Sequence, residues 1–143
     1  MGELRREIVF EREGPSTCFG CGKDNPRGLG LRFDETEDGV EVLYSVDEDF
    51  GGAPGVVHGG IQATLLDEAL CMAAYAKEDT PVVTGELTVR YERPLPTSTP
   101  LRIRSRITER RGSSFFAEAE IFVGEDASPA TRARARLFPF PAD

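Results

Sequence analysis

Between Gly55 and Leu70 the sequence reads GVVHGGIQATLLDEAL. His58, Gly59 and Gly60 precede a run that is almost all apolar, and two carboxylates, Asp67 and Glu68, stand inside it. A helix advances about 1.5 Å per residue, so Gly60 and Asp67 lie on nearly one face, roughly 10 Å apart. The helical neighbours of Asp67 are Ala63, Thr64, Leu70, Cys71 and Ala74, none of them basic. An acid on such a surface is costly to bury without a purpose, and general-base chemistry is one such purpose. The glycines supply the complement. Peptide N–H groups at a helix N-terminus have no internal acceptor and carry partial positive charge. Without side chains, Gly59 and Gly60 let a substrate oxygen come close, which is the composition of an oxyanion hole. His58 fixes the loop or adds a further donor.

One carbon must sit about 3 Å from both the attacking oxygen and the oxyanion donors. Two turns of rigid helix hold acid and donors too far apart within one chain. A two-fold dimer with antiparallel helices resolves this, the Asp of one copy facing the glycines of the other.

These groups require a helix and a cover for it. The run from about Gly60 to Lys77 has no Pro and many Ala and Leu, which predicts that helix. The pieces EIVFE, Leu29 to Phe33 and Val40 to Val46 read as strands, the last two joined by the charged turn DETEDG. After Pro81 the period changes to two. VVTGELTVRYERP puts Val83, Leu87, Val89 and Tyr91 on one side, and LRIRSRITERR sets Leu101, Ile103 and Ile107 against Arg102, Arg104 and Arg106. FFAEAEIFV and TRARARLF alternate likewise, so one face of the sheet is wet. A helix apolar on most sides is nearly surrounded. The expectation is an α+β chain: one long central helix wrapped by a curved, mostly antiparallel sheet of five or six strands.

The length of 143 residues suits a single domain, 1–143, in which 1–28 forms an extension with a Cys18–Cys21 turn. The formal net charge is -8, which argues against nucleic acid as a partner, although ten arginines and no lysine lie between Arg90 and Arg136. No apolar run is long enough to span a membrane, and the N-terminus lacks the apolar core of a signal peptide. The odd count of three cysteines, Cys18, Cys21 and Cys71, points to a reducing cytoplasm. A single CxxC and one His leave zinc short of ligands within one chain, so no metal is expected and the pair reads as thiols in a turn. Cys71 reads as core packing, and Glu68 as a solvated or interface residue.

The pattern PGVVHGG, then six residues, then Asp67-Glu68, followed by VTGELTVRYERPLP, resembles the hotdog-fold acyl-CoA thioesterases of the phenylacetate-pathway (PaaI-like) group. The upstream CFGCGKDNPRGLGLRF also occurs in many members, and the resemblance runs from about Cys18 to Phe138. It implies hydrolysis of an acyl-CoA thioester to a free acid and CoA, with no cofactor beyond the CoA of the substrate. By it, Asp67 is the catalytic carboxylate, as general base or as nucleophile. Gly59 offers the N–H that polarises the thioester carbonyl, and His58 shapes the glycine turn. Thr84 positions the acid or its water across the dimer. Arg93, in the YxRP element, and Arg90 are candidate contacts to CoA phosphates. Gly60, Val57 and Ile61 line the substrate, the acyl chain lying near Val56, Val57, Ile61 and Leu65. The family pairs as homodimers that commonly pair again. One departure stands out: some relatives carry Asn six residues before the His, where this chain has Gly52. Two other functions fit the same fold. A hydratase or dehydratase would use His58 with Glu68 or Asp67 on carbon, and a binding module would hold acyl-CoA without turnover.

Overall fold

The computed structural model describes residues 6–9 and 15–140. Strands β1 (Glu7–Ile8), β2 (Phe33–Glu35) and β3 (Gly39–Tyr44) lead to a 3-10 turn, Glu48–Phe50. Helix α1 (Gly59–Glu78) follows, then β4 (Val82–Tyr91), β5 (Leu101–Arg111), β6 (Ser114–Val123) and β7 (Thr131–Pro139). The strands form one sheet in the order β1-β2-β3-β5-β6-β7-β4, every pairing antiparallel. The expected architecture holds, with seven strands because the short β1 and β2 both join the sheet. Within EIVFE only Glu7 and Ile8 pair; Phe10 and Glu11 lie outside the described residues.

The strand expected at Leu29 to Phe33 begins only at Phe33. The N–H groups of Leu29 and Leu31 instead donate to the carbonyls of Phe19 and Gly20 in the cysteine turn. A peptide group spent on a turn is not available to a ladder.

Helix α1 crosses an apolar floor of small residues. Ala117 and Ala119 of β6 and Ala133 and Ala135 of β7 are buried, as are Leu65, Leu66, Ala69, Leu70 and Ala73 of the helix. Alanines let the backbones approach, and each buried Leu contributes about 1.5–3 kcal/mol. Ser105, the polar exception on the inner face of β5, donates from Oγ to the Ala69 carbonyl at 2.6 Å. The arginines of β5 and β7 point outward, which leaves the wet face expected from the alternation. The helix stops at Asp79, which takes left-handed backbone angles two residues before Pro81.

One register break matters for the site. The pairing of β4 with β7 shifts between Thr84 and Glu86. A bulge reverses which residues face inward. Val83 is therefore 43% exposed, while Val82, Leu87 and Val89 pack on the core. This corrects the expectation that Val83 shares a face with Leu87 and Val89. Thr84 takes the inward place. Gly85 sits at the bulge because a Cβ there would lie 2.3 Å from the Phe138 ring.

Candidate active site

Helix α1 starts where the sequence placed its glycines. His58 is the N-cap, and its Nδ1 accepts the Gly60 N–H at 2.9 Å. A ring nitrogen that accepts carries no proton, so the neutral imidazole holds its proton on Nε2. A Cβ on Gly60 would come within 3.2 Å of that ring, so glycine permits the cap. The Gly60 N–H is thereby occupied. The Gly59 N–H belongs to the first helical residue and finds no acceptor among the described residues. A Cβ on Gly59 would meet only the Tyr91 ring, at ordinary contact distances from 3.5 Å. Among the described residues no contact requires glycine there, whereas a ligand approaching the N–H would.

Two residues hold this turn that the sequence did not single out for it. The exposed Tyr91 hydroxyl donates to the Gly59 carbonyl at 2.8 Å. Gln62, buried at 3% exposure, donates to the Val57 carbonyl at 3.0 Å and accepts from Thr131 Oγ1 at 2.5 Å. A polar residue at the first turn of an apolar run was the available signal for Gln62. Tyr91 had only its place in the YxRP element.

Asp67 lies two turns on, half-buried. Thr84 Oγ1 donates to Asp67 Oδ1 at 2.5 Å. The contact forms within one chain, whereas the resemblance had placed it across the dimer; the β4 bulge is what turns Thr84 toward the helix. Cys71 Sγ lies 3.3 Å from the same Thr84 oxygen. The hydroxyl has one proton and gives it to Asp67, so the thiol is the donor in the second contact. Burial, above all, pushes the Cys71 thiol up to about 12, which keeps it protonated for that role. Cys71 packs against the core, as expected, and also contacts the hydroxyl that holds Asp67. Among the described residues no cation pairs with Asp67.

An open cleft of about 470 Å³ lies at the head of α1, bounded by Gly52, His58, Gly59, Tyr91 and Arg93. Gly52, where some relatives carry Asn, is against His58: a Cβ there would come to 3.2 Å from its Cα. Val57 is 1% exposed and forms floor rather than wall, and Leu65 is fully buried. Val56 and Ile61 keep partial exposure. Arg93 stands at the rim, donating to the Ser128 carbonyl at 2.9 Å. Arg90 is elsewhere, on the outer sheet face beside Arg132 and Arg134, and Glu92 pairs with Arg132.

Glu68 is not a solvated acid. It lies under the cysteine turn, with Cys18 Sγ 3.6 Å from each carboxylate oxygen. Burial pushes Glu68 up from the ordinary carboxylate value; contacts from Cys21 and Cys18 pull the other way, and the Asp67 charge adds to the rise.

The thioesterase superfamily family model matches residues 54–130, which holds the glycine turn, all of α1 and the Asp67–Thr84 pair. Among curated proteins, the chain is 30% identical over 118 residues to the acyl-coenzyme A thioesterase THEM4 of Bos taurus, covering 80% of this chain and 47% of that one. It is 27% identical over 112 residues to THEM4 of Rattus norvegicus, covering 76% and 48%. The chain therefore spans about half the length of the curated relatives it matches. Among solved structures, protein RHA08564, a thioesterase superfamily protein, superposes with a TM-score of 0.78 at 26% identity, covering 92% of this chain and 68% of that one. The BH2602 protein from Bacillus halodurans, solved with CoA, has a TM-score of 0.68 at 24% identity, covering 80% and 77%, and shares the fold.

Proposed function

The chain belongs to the thioesterase superfamily, and from that premise we propose that it hydrolyses acyl-CoA thioesters at a site shared by two copies. The observation that carries the reading is Asp67: a carboxylate on a helix face, restrained by a hydroxyl and, among the described residues, neutralised by no cation. Its Oδ1 is occupied by Thr84, which leaves Oδ2 for the proton of a water. That water oxygen bonds to the acyl carbon as its proton passes to Asp67. The carbonyl oxygen becomes an oxyanion and is met by the Gly59 N–H of the other copy, where an aligned peptide dipole is worth most because water is excluded. The tetrahedral species collapses, the carbon–sulfur bond breaks, and the CoA sulfur leaves, taking the proton back from Asp67.

Two features favour the second copy. Asp67 is eight residues beyond Gly59, about 12 Å along a rigid helix, so one acyl carbon cannot meet both in one chain. Strand β4 ends the sheet: it pairs with β7 on one side, and ten residues of its other edge are unpaired among the described residues. A long free edge with exposed Val83 and Tyr91 is a template for another strand. A two-fold axis beside β4 would join the sheets and set the α1 helices antiparallel. Further pairing of dimers is consistent with the family resemblance.

Arg93 is the better placed of the two arginines for a CoA phosphate, since it shares the cleft with His58 and Gly59. The acyl group would run along Val56 and Ile61. Free thiols at Cys18, Cys21 and Cys71 fit a reducing compartment such as the cytoplasm, and no helix among the described residues is long and apolar enough to cross a membrane.

A panel of aryl and straight-chain acyl-CoAs, followed by release of free thiol, tests the reading. Thiol release that collapses in Asp67→Ala supports hydrolysis. Tight binding without release would instead make the chain a binding module. A change in enoyl absorbance without thiol would make it a hydratase.

A further inference from the structure

We propose that Cys18, Cys21 and Glu68 form a zinc-binding site that clamps the N-terminal turn onto α1. One ligand atom from each of the three lies within 4.8 Å of those of the other two. Zinc binds thiolate sulfur at about 2.3 Å and carboxylate oxygen at about 2.1 Å, and tetrahedral arms of those lengths end about 3.6 Å apart. Cys18 Sγ stands 3.6 Å from both oxygens of Glu68. The donors are therefore already spaced as the edge of a zinc tetrahedron, and the fourth position is left to water.

The backbone is shaped for the same purpose. In Cys18-Phe-Gly-Cys-Gly the Gly22 N–H donates to the Cys18 carbonyl at 2.8 Å, closing the turn that brings the two sulfurs together. A Cβ on Gly22 would lie 2.3 Å from the Cys18 nitrogen, and a Cβ on Gly20 would lie 2.6 Å from the Glu68 carboxyl. Gly22 is required for the turn to close, and a side chain at position 20 would push the acid aside. Outside it, Ser16 N–H donates to Asp24 Oδ2 at 2.7 Å and Asp24 N–H to the Ser16 carbonyl at 2.8 Å, bracing the loop.

The charges agree with the geometry. Among the described residues Glu68 has no ion pair, and its carboxylate lies against the Cys18 thiol. A divalent cation would take all three groups as anions. Two sulfurs and one oxygen are a donor set for zinc rather than for calcium or magnesium. The sequence holds no second cysteine pair and one His, so neither residue type marks a third ligand in it. The ligand is an acid fifty residues away, brought in by the helix.

The test uses the full chain, reduced, stripped with chelator and titrated with Zn(II) and with Co(II). The proposal expects about one metal per chain, a thiolate-to-cobalt charge-transfer band, and protection of Cys18 and Cys21 but not Cys71 from alkylation by zinc. Cys18→Ser should weaken zinc by about 100-fold or more, and Glu68→Gln by about 10-fold, as loss of a ligand demands. Absence of metal uptake by the reduced wild-type chain would overturn it, as would cobalt bound without the charge-transfer band or isolation of the pair as a disulfide under reducing conditions. The wild-type titration stands even if a variant fails to fold. The clamp takes no part in thioester cleavage, so its failure leaves the hydrolase reading intact.

Discussion

Asp67 and Glu120 are carboxylates on long regular elements of one chain, and they are kept in opposite company. Glu120, on the outer face of β6, receives Arg104 Nε at 3.1 Å and Arg106 Nη1 at 2.9 Å, while Arg106 also reaches Glu118 at 2.7 Å. Burial works against its charge, and the hydrogen bonds from Arg106 and Arg104 overcome this and hold Glu120 below the usual carboxylate range. Asp67 has the Thr84 hydroxyl at 2.5 Å and, among the described residues, no guanidinium. A carboxylate between two arginines has its lone pairs spent and is a poor base. One held by a single hydroxyl keeps an oxygen available. The outer face uses charge to order side chains above a sheet in contact with water, and the helix face keeps charge for a reactant.

The comparison breaks first at Asp67. Asp67→Asn keeps the shape and removes the base, so thiol release should fall by about 10²–10⁴-fold with the circular dichroism spectrum unchanged. A fall of less than tenfold would mean the acid is structural. Thr84→Val should lower kcat by about 10–100-fold with KM little altered, because a hydrogen bond to a charged group is worth about 1.5–3 kcal/mol and here it aims the base. Thr84→Ser should restore most of it; failure of that rescue would assign the loss to packing.

Changes on the outer face should be smaller. Arg106→Gln should cost less than about 1 kcal/mol in urea unfolding and leave thiol release unchanged, since exposed ion pairs contribute little. The acid limb sharpens the contrast. Glu120 is depressed by its arginines, and Glu35 is depressed chiefly by a hydrogen bond from Lys77. Such groups contribute stability above the ordinary carboxylate pKa of about 4.3, and lose it as pH falls through their lower folded values. Glu120→Gln should therefore flatten part of the fall in urea midpoint below about pH 4.5, with no change near pH 7 beyond the lost pair. An unchanged acid limb would show that the arginines do not hold Glu120.

Much of this was legible in residue order, and what was not has identifiable physical causes. The glycine turn, the helix and the outward arginines follow from local composition and period, which a sequence displays directly. The inward face of Thr84 does not follow, because one bulge inverts the alternation; Gly85 inside a strand pattern was its only mark. That the Gly59 N–H is left free while that of Gly60 is not was invisible as well, since it depends on the His58 ring turning back to occupy Gly60. The contact between Glu68 and the cysteine turn joins residues fifty positions apart, and periodicity carries no information at that range. Arg90 and Arg93 look alike on paper, but Arg90 stands on the outer face of β4 and Arg93 lies beyond the end of that strand, at the cleft.

The central claim is that acid and amide come from different copies, and subunit mixing tests it most directly. Gly59→Pro removes the N–H at issue and crowds the approach to it, at the first helical position where proline is well tolerated, after a residue already at φ -55 and ψ 136. Gly59→Pro and Asp67→Asn chains should each be nearly inactive alone. Unfolded together and refolded at equal amounts, they should recover about a quarter of wild-type thiol release, because half of the dimers are mixed and each mixed dimer holds one intact site. Recovery no greater than the sum of the two variants would place acid and amide in the same chain and contradict the account.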